Sequence, residues 1–99
     1  MPEFANPFEG MNANRKLTKE ELIRAVRYNI AAEFEAIQLY TQLSDSIDDK
    51  LSKKVLVDIA NEEKEHVGEL LRLLKYLAPD EEKFYEEGAE EVEDMIDDL

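Results

Sequence analysis

The sequence contains no cysteine, and only three glycines and three prolines among its 99 residues. The absence of cysteine excludes disulfide bonds, thiolate zinc sites and iron–sulfur clusters. The scarcity of glycine and proline means that the chain needs few turns. No apolar run is long enough to span a membrane, and no signal-peptide pattern is present at the N-terminus. We therefore expect a soluble cytoplasmic protein with long, uninterrupted secondary structure and no membrane partner.

The charge is strongly negative, with a net value of −13. Residues 80–99 hold eleven acids and one lysine, a net −10, whereas residues 1–79 hold fourteen acids and eleven bases, a net −3. Nucleic acid is not an expected partner, because binding to phosphates needs a basic surface. The acidic excess favours attraction of cations, although a solvated acidic face is the simpler explanation for most of these residues.

Two long helices are predicted by heptad patterns of apolar residues. Residues 18–21 (Thr-Lys-Glu-Glu) match a capping box. In this motif the Thr and Glu side chains accept hydrogen bonds from backbone N–H groups at the start of a helix. Apolar positions then recur at steps of three and four over residues 23–47 and again over residues 56–77. This is the pattern of helices packed side by side. Residues 46–50 are predicted to form a tight turn that provides the N-cap of the second helix.

A third, shorter helix is predicted after Pro79, which ends the second helix, with Asp80 as its N-cap. An arm or linker is expected before the first helix, where no apolar period is present. Its apolar side chains that could dock on the domain are Phe4, Phe8 and Met11. The predicted organisation is an arm over 1–17 and a helical domain over 18–99, with helices at about 18–47, 50–77 and 81–97.

A single hairpin cannot cover the apolar side chains of its two long helices. Each helix is on the order of 40 Å long at ~1.5 Å per residue, and its apolar stripe is wider than one partner helix can bury. The residues that widen the stripe are Leu22, Phe34, Leu39, Leu43, Val55, Val67, Leu71 and Leu74. The predicted fold class is therefore all-α: an antiparallel helical hairpin with a short acidic third helix, completed as a four-helix bundle when two chains dimerise.

Three polar residues interrupt the apolar stripes: Glu33 on the first helix, and Glu63 and His66 on the second. In an antiparallel hairpin, residues equidistant from the turn lie at the same height. The midpoints of 33 with 63 and of 33 with 66 are 48 and 49.5, inside the predicted turn, so the three side chains should meet. Carboxylates with an imidazole favour iron or manganese over structural zinc. Glu62, four residues before His66, is the local alternative to Glu63.

These three residues are half of a known arrangement. The di-iron site of a four-helix bundle takes one glutamate from each of two helices and Glu-x-x-His from each of the other two. This chain offers one glutamate and one Glu-x-x-His, and it has a single histidine. A two-fold dimer would supply the whole set. The incomplete site and the uncovered apolar stripes therefore predict the same partner.

The sequence resembles the encapsulated ferritins over residues 18–97. The resemblance rests on Glu33, placed thirty residues before Glu63-Lys64-Glu65-His66, on the length of the hairpin and on the acidic third helix. It implies a ferritin-like ferroxidase that oxidises Fe(II) to Fe(III), with two iron ions per dimer and with manganese or zinc as alternative metals. It also implies a decameric ring of dimers inside an encapsulin nanocompartment, where the shell protein encloses the stored iron.

The resemblance also assigns roles to individual residues. Glu33, Glu63 and His66 match the family's metal ligands, and Tyr40 matches a residue that hydrogen-bonds a ligand carboxylate. Glu35 matches a carboxylate near the path by which iron reaches the site, but Ala32 stands where members often have another acid. Cargo members usually end in an apolar-basic tail, whereas this chain ends in an acidic segment. That difference suggests a domain excised from an archaeal fusion with the shell protein, or a chain trimmed of its tail.

Two other functions remain open at this point. A metal-free helical adaptor could dimerise and dock through its acidic helix, with the three polar residues forming a buried network that fixes the register. A rubrerythrin-like peroxide reductase would use the same metal site but would need a separate electron donor, because the cysteines of an electron-transfer module are absent.

Overall fold

A computed structural model describes residues 14–99, so the predicted docking of Phe4, Phe8 and Met11 lies outside the described residues. Within that range the chain is helical and has no strand. The elements are α1 (Lys19–Asp45), α2 (Lys50–Leu77), a short 3-10 turn (Pro79–Glu81) and α3 (Glu82–Asp97). The predicted all-α hairpin with a short acidic third helix is confirmed. None of the helices between residues 14 and 99 is long and apolar enough to cross a membrane.

Helix α1 begins with the predicted capping box. The Glu21 backbone N–H donates to the Thr18 hydroxyl, and the Thr18 N–H donates to the Glu21 carboxylate. Arg15 donates two further hydrogen bonds of 2.7 Å to the same carboxylate. Arg15 is the main reason that the pKa of Glu21 falls to about 2, and the Thr18 backbone donor lowers it further. The first turn of α1 is therefore tied to the segment that precedes it.

The turn between the long helices contains the predicted N-cap. Asp49 accepts hydrogen bonds from the backbone N–H and the hydroxyl of Ser52. Helix α1 ends at Asp45 rather than at about residue 47. Lys53 donates from Nζ to the Ser44 and Ile47 carbonyl oxygens at 2.7 and 3.2 Å. A cation from the second helix thus satisfies one acceptor in the last turn of the first helix and one in the connecting turn.

The two long helices pack along a narrow line of buried residues. Val26 and Ile30 of α1 meet Leu74 of α2 in the core cluster, and Ala60 and Val67 continue the line toward the turn. Positions 60, 67 and 74 are seven residues apart, so α2 presents one heptad position directly to α1. Positions 59, 66 and 73 were predicted to belong to the contact stripe, but they lie beside this line, and His66 and Leu73 are exposed. The contact between the helices therefore leaves a partly apolar flank on each side.

Helix α3 starts differently from the expectation. Asp80 was predicted to be its N-cap, but Asp80 lies inside the 3-10 turn, and the residue before α3 is Glu81, whose side chain makes no capping hydrogen bond. Pro79 begins the 3-10 turn, and the helical backbone of Glu81 (φ −72, ψ −27) continues directly into α3. Every residue from 83 to 99 is exposed, so α3 extends from the hairpin without being covered by it.

Candidate metal centre

The three predicted site residues come together between α1 and α2. His66 Nδ1 lies 3.6 Å from Glu33 Oε2 and 3.6 Å from Glu63 Oε1. One ligand atom from each of the three side chains lies within 4.8 Å of the other two. This is the one group of three such side chains within metal-binding distance among residues 14–99.

The fold places these residues through helix geometry and hairpin register. Glu63 and His66 are three residues apart on α2, so they share a face. Glu33 reaches them from α1 because the turn at residues 46–49 places positions 33 and 63 at the same height. All three lie near the middle of their helices, far from the frayed ends. A rigid backbone therefore holds the donors, as a site of defined geometry requires.

The two carboxylates are too close to be ionised together without compensation. The pKa of Glu33 is raised above its ordinary value, first by a hydrogen bond shared with Glu63, then by burial and by the charge of Glu63. His66 acts in the opposite direction. As a carboxylate, Glu33 has a buried Oε2 with no hydrogen-bond partner within residues 14–99. Such an oxygen needs a proton or a cation.

The donor set fits a divalent metal ion. Two carboxylates and one imidazole nitrogen suit iron or manganese, and no sulfur ligand is present. A cation between Glu33 and Glu63 would replace the shared proton and give the buried oxygen a partner. His66 presents Nδ1 to both carboxylates, at a distance that a bound ion could bridge. The residues present therefore match a metal site chemically as well as geometrically.

The cluster is open on one side. The side chain of His66 is 49% exposed, whereas those of Glu33 and Glu63 are 27% and 18% exposed. We call the flank around His66 the site face: Val55, His66 and Leu73 of α2 with Leu43 of α1. Its apolar members are 40–51% exposed. Three donors leave the coordination of a metal ion incomplete. The open side of the cluster is bordered by apolar side chains of the kind that a partner chain buries.

The other predicted residues lie outside the cluster. Tyr40 is half-buried one heptad beyond Glu33, and its hydroxyl makes no hydrogen bond to the three donors within residues 14–99. Glu35 is two residues from Glu33, which turns it to about the opposite side of α1. Glu62 is exposed and does not join the group. The roles of Tyr40 and Glu35 remain predictions about the paired chains.

Sequence reasoning did not single out Lys53, which braces the turn that sets the register of the site. A signal was present in the sequence. Positive charges are unfavourable in the first turn of a helix, yet α2 begins with Lys50, Lys53 and Lys54 and has no acid in its first turn. A lysine in such a position needs another partner, and for Lys53 that partner is the end of α1.

Comparison with known proteins places the chain in a family. Residues 25–97 match the rubrerythrin family. The chain is 41% identical over 85 residues to the ferritin-like-encapsulin shell fusion protein of Pyrococcus furiosus, and 37% identical over 90 residues to the encapsulin nanocompartment cargo protein EncC of Myxococcus xanthus. These alignments cover 86% and 91% of the chain, but only 25% of the fusion protein and 68% of EncC.

The structure gives the same result. The crystal structure of the encapsulated ferritin domain from Pyrococcus furiosus matches with a TM-score of 0.81 and 40% identity. The match covers 88% of this chain and 89% of that domain. The chain therefore belongs to the rubrerythrin family, and within it to the encapsulated ferritins that its sequence resembles.

Proposed function

We propose that the chain is one half of a ferroxidase. Two copies pair through their site faces, and the two sets of Glu33, Glu63 and His66 bind two Fe(II) ions between them. The observation that carries this proposal is the open three-donor cluster, in which a buried Glu33 oxygen has no partner and His66 is half exposed. The match to the rubrerythrin family supports iron as the metal.

Iron is the substrate of the proposed reaction. Two Fe(II) ions each lose one electron, and the oxidant accepts the pair: dioxygen takes two protons and becomes hydrogen peroxide, or hydrogen peroxide takes two protons and becomes two water molecules. The glutamates offset the charge of the bound iron and favour the higher oxidation state. His66 must be neutral to bind. Tyr40 orients a ligand carboxylate once the chains pair, and Glu35 lies on the path of incoming iron.

The proposed setting is an encapsulin compartment in the cytoplasm. One relative is named as a fusion to an encapsulin shell and another as encapsulin cargo. Residues 14–99 form a helical hairpin with one short helix and enclose no storage space, so a surrounding shell would hold the oxidised iron. We further propose that dimers assemble into the decameric ring implied by the family resemblance. The shell protein is then the partner that retains the oxidised iron.

The decisive experiment is anaerobic Fe(II) titration followed by native mass spectrometry and then by exposure to air. The ferroxidase proposal requires two iron ions per two chains, dimers promoted by iron, and oxidation that is lost in His66→Ala. Glu63→Gln tests a carboxylate ligand. Glu65→Gln is its matched control, because Glu65 is exposed on the same helix outside the cluster. Equal iron binding and assembly in the wild type and His66→Ala would favour the metal-free adaptor instead.

A peroxide reductase is the second candidate, because the matching family is rubrerythrin. A peroxide reductase differs from a ferroxidase in the amount of oxidant consumed per iron. With an external electron donor, a peroxide reductase consumes many equivalents of peroxide per iron, whereas a ferroxidase consumes oxidant in proportion to the iron supplied. Measuring peroxide consumption with and without a reductant separates the two functions.

A further inference from the structure

Helix α1 has a second stripe of residues on a side that α2 does not cover. Tyr28 is two residues from both Val26 and Ile30 of the core, so it lies about 200° around the helix from them. We call the set on this side the outer stripe, and its positions step by four, three, four, three and four along α1: Glu21, Ala25, Tyr28, Ala32, Glu35 and Leu39. Helix α2 therefore packs on a different side of α1.

The outer stripe has the character of a covered surface. Tyr28 and Leu39 are large apolar residues that are 40% and 52% exposed, and the methyl side chain of Ala32 leaves a shallow apolar groove between them. Glu35 is half-buried, although a glutamate on a side away from the helix contact normally projects into water. The shielding of Glu35 indicates that another part of the protein covers this side of α1.

The chain that precedes α1 is held at the beginning of the outer stripe. The backbone bends at Asn14 and Arg15, and Arg15 donates two hydrogen bonds of 2.7 Å to the carboxylate of Glu21. Glu21 is the first member of the stripe. Residues 1–13 therefore start beside the groove and not on the far side of the hairpin.

Residues 1–13, which we call the arm, have the apolar side chains and the length to follow this groove. Met11, Phe8 and Phe4 precede Arg15 by four, seven and eleven residues. In an extended chain that rises about 3.1 Å per residue, they reach ~12, ~22 and ~34 Å from it. Two prolines lie in the arm and favour such an extended backbone.

The levels of the outer stripe fall within that reach. At about 1.5 Å per residue, Tyr28, Glu35 and Leu39 lie ~11, ~21 and ~27 Å beyond Glu21 along α1. An arm that runs back along the helix therefore brings one large apolar side chain to each level of the groove. Its apolar residues are buried there without any partner chain.

We propose that the arm docks along the outer stripe, antiparallel to α1, and covers Glu35. Met11 packs at the level of Tyr28, Phe8 at the level of Glu35 and Phe4 beside Leu39. The inference rests on the proposed function in one respect, because that function places Glu35 on the path of incoming iron. A docked arm closes this path, and an undocked arm opens it.

Disulfide trapping in the full chain, diluted and free of metal, tests the docked position. The chain has no cysteine of its own, so an introduced pair reports a single contact. Glu9→Cys with Ala32→Cys joins the arm to the stripe and leaves the apolar side chains of the arm in place. The matched control is Glu9→Cys with Phe34→Cys, because Phe34 is exposed on the same helix and lies about 200° away from Ala32.

The stripe pair should close within one chain about ten times faster than the control pair. This ratio is expected when the arm is docked about ten times as often as it is undocked. Mass spectrometry of the intact protein separates a disulfide within one chain from one between two chains.

Carbodiimide labelling of carboxylates, read out by mass spectrometry, tests whether the arm covers Glu35. Phe4→Ser with Phe8→Ser removes two apolar contacts and leaves the Arg15 clamp and the capping box intact. Labelling of Glu35 should become faster in this variant, because its arm spends more time undocked.

Two controls accompany the labelling. Glu3→Gln with Glu9→Gln changes the same segment but keeps its apolar side chains, so Glu35 should be labelled at the wild-type rate. Glu65, which is exposed on α2, should be labelled equally in all variants. A misfolded chain would change the labelling of both carboxylates.

The initial rate of Fe(II) oxidation at limiting iron tests the consequence for the path. Phe4→Ser with Phe8→Ser should raise this rate by up to about tenfold, because the wild-type path is open only in the undocked fraction. The number of iron ions bound per two chains should not change.

Four results would overturn the proposal: equal closure of the two cysteine pairs, a disulfide between chains, unchanged labelling of Glu35 in the phenylalanine variant, or an unchanged rate of oxidation by that variant. A disulfide between chains would mean that the arm docks on a second copy. A wild type that oxidises no iron would refute the proposed function. Trapping and labelling need no metal, so they would still decide whether the arm is docked.

Discussion

Glu33 Oε2 lies 3.6 Å from Nδ1 of His66, yet this buried oxygen has no hydrogen-bond partner within residues 14–99. The same nitrogen lies 3.6 Å from Glu63 Oε1. The arrangement costs the metal-free chain some stability, because two carboxyl groups compete for one proton in a partly buried position. It also prepares the site for a cation.

Glu33→Gln should stabilise the metal-free chain at neutral pH and abolish metal binding. The pKa of Glu33 is raised in the folded state, so as pH rises past its ordinary value the unfolded chain ionises first and folding loses free energy. The wild type should therefore lose stability through this window, and the variant should not. Thermal unfolding at several pH values measures the effect, with ~1 kcal/mol appearing as roughly 4–8 °C. Glu65→Gln, the control, should retain the wild-type pH dependence.

Metal binding should release protons, and the affinity should rise with pH. The proton that Glu33 retains must leave before a cation binds, and His66 must be neutral. Calorimetric titration in two buffers with different ionisation enthalpies measures the number of protons released. An observed heat that does not depend on the buffer, at a pH below the raised pKa of Glu33, would contradict this account.

Removing the metal should separate the chains at the site face. Pairing through the site faces would bring Glu33 and Glu63 of both chains near one another, and without cations the repulsion of these four glutamates opposes pairing. Adding a chelator should therefore separate the two chains of each metal-bridged dimer, and sedimentation measures this change in size. His66→Ala should behave like the chelated wild type with or without iron. Persistence of the same dimer after complete chelation would show that apolar contacts suffice.

Lys53→Met should destabilise the hairpin, whereas Lys54→Met should not. The Lys53 amino group donates to the Ser44 carbonyl oxygen at the end of α1 and to the Ile47 carbonyl oxygen in the turn, and losing such partners costs about 1–3 kcal/mol. Lys54 is exposed and makes neither contact, so its replacement should change stability by less than about 0.5 kcal/mol. Chemical denaturation of both variants tests this. Equal stabilities would mean that water replaces Lys53 without cost.

Much of the fold could be predicted because its signals are local. The capping box at Thr18 and Glu21, the proline that ends α2 and the heptad periods each depend on residues close in sequence. The juxtaposition of Glu33 with Glu63 and His66 also followed, since the register of a short antiparallel hairpin is fixed by its turn. In this chain the contact of Glu33 with Glu63 and His66 could therefore be predicted from the position of a single turn, although these residues are thirty or more positions apart.

The start of α3 could not be predicted in the same way. Asp80 has the composition of an N-cap, but Pro79 opens a 3-10 turn that continues into the helix. The neighbouring Glu81 is held by Arg27, more than fifty positions earlier in the sequence. No periodic pattern reports a contact of this kind, because it depends on the direction in which the chain leaves the hairpin.

The sequence alone thus determined the three helices, the capping of α1 and the three donors at one height, since each depends on spacing along the chain. The tertiary structure alone decided how those donors are presented, with a buried oxygen on Glu33 and a half-exposed His66. It also decided that the base of α3 is tied to Arg27 and Lys75. Exposure and direction arise from how whole helices pack, and no single segment encodes them. That difference explains why the three candidate donors could be named from the sequence, whereas their exposure could not.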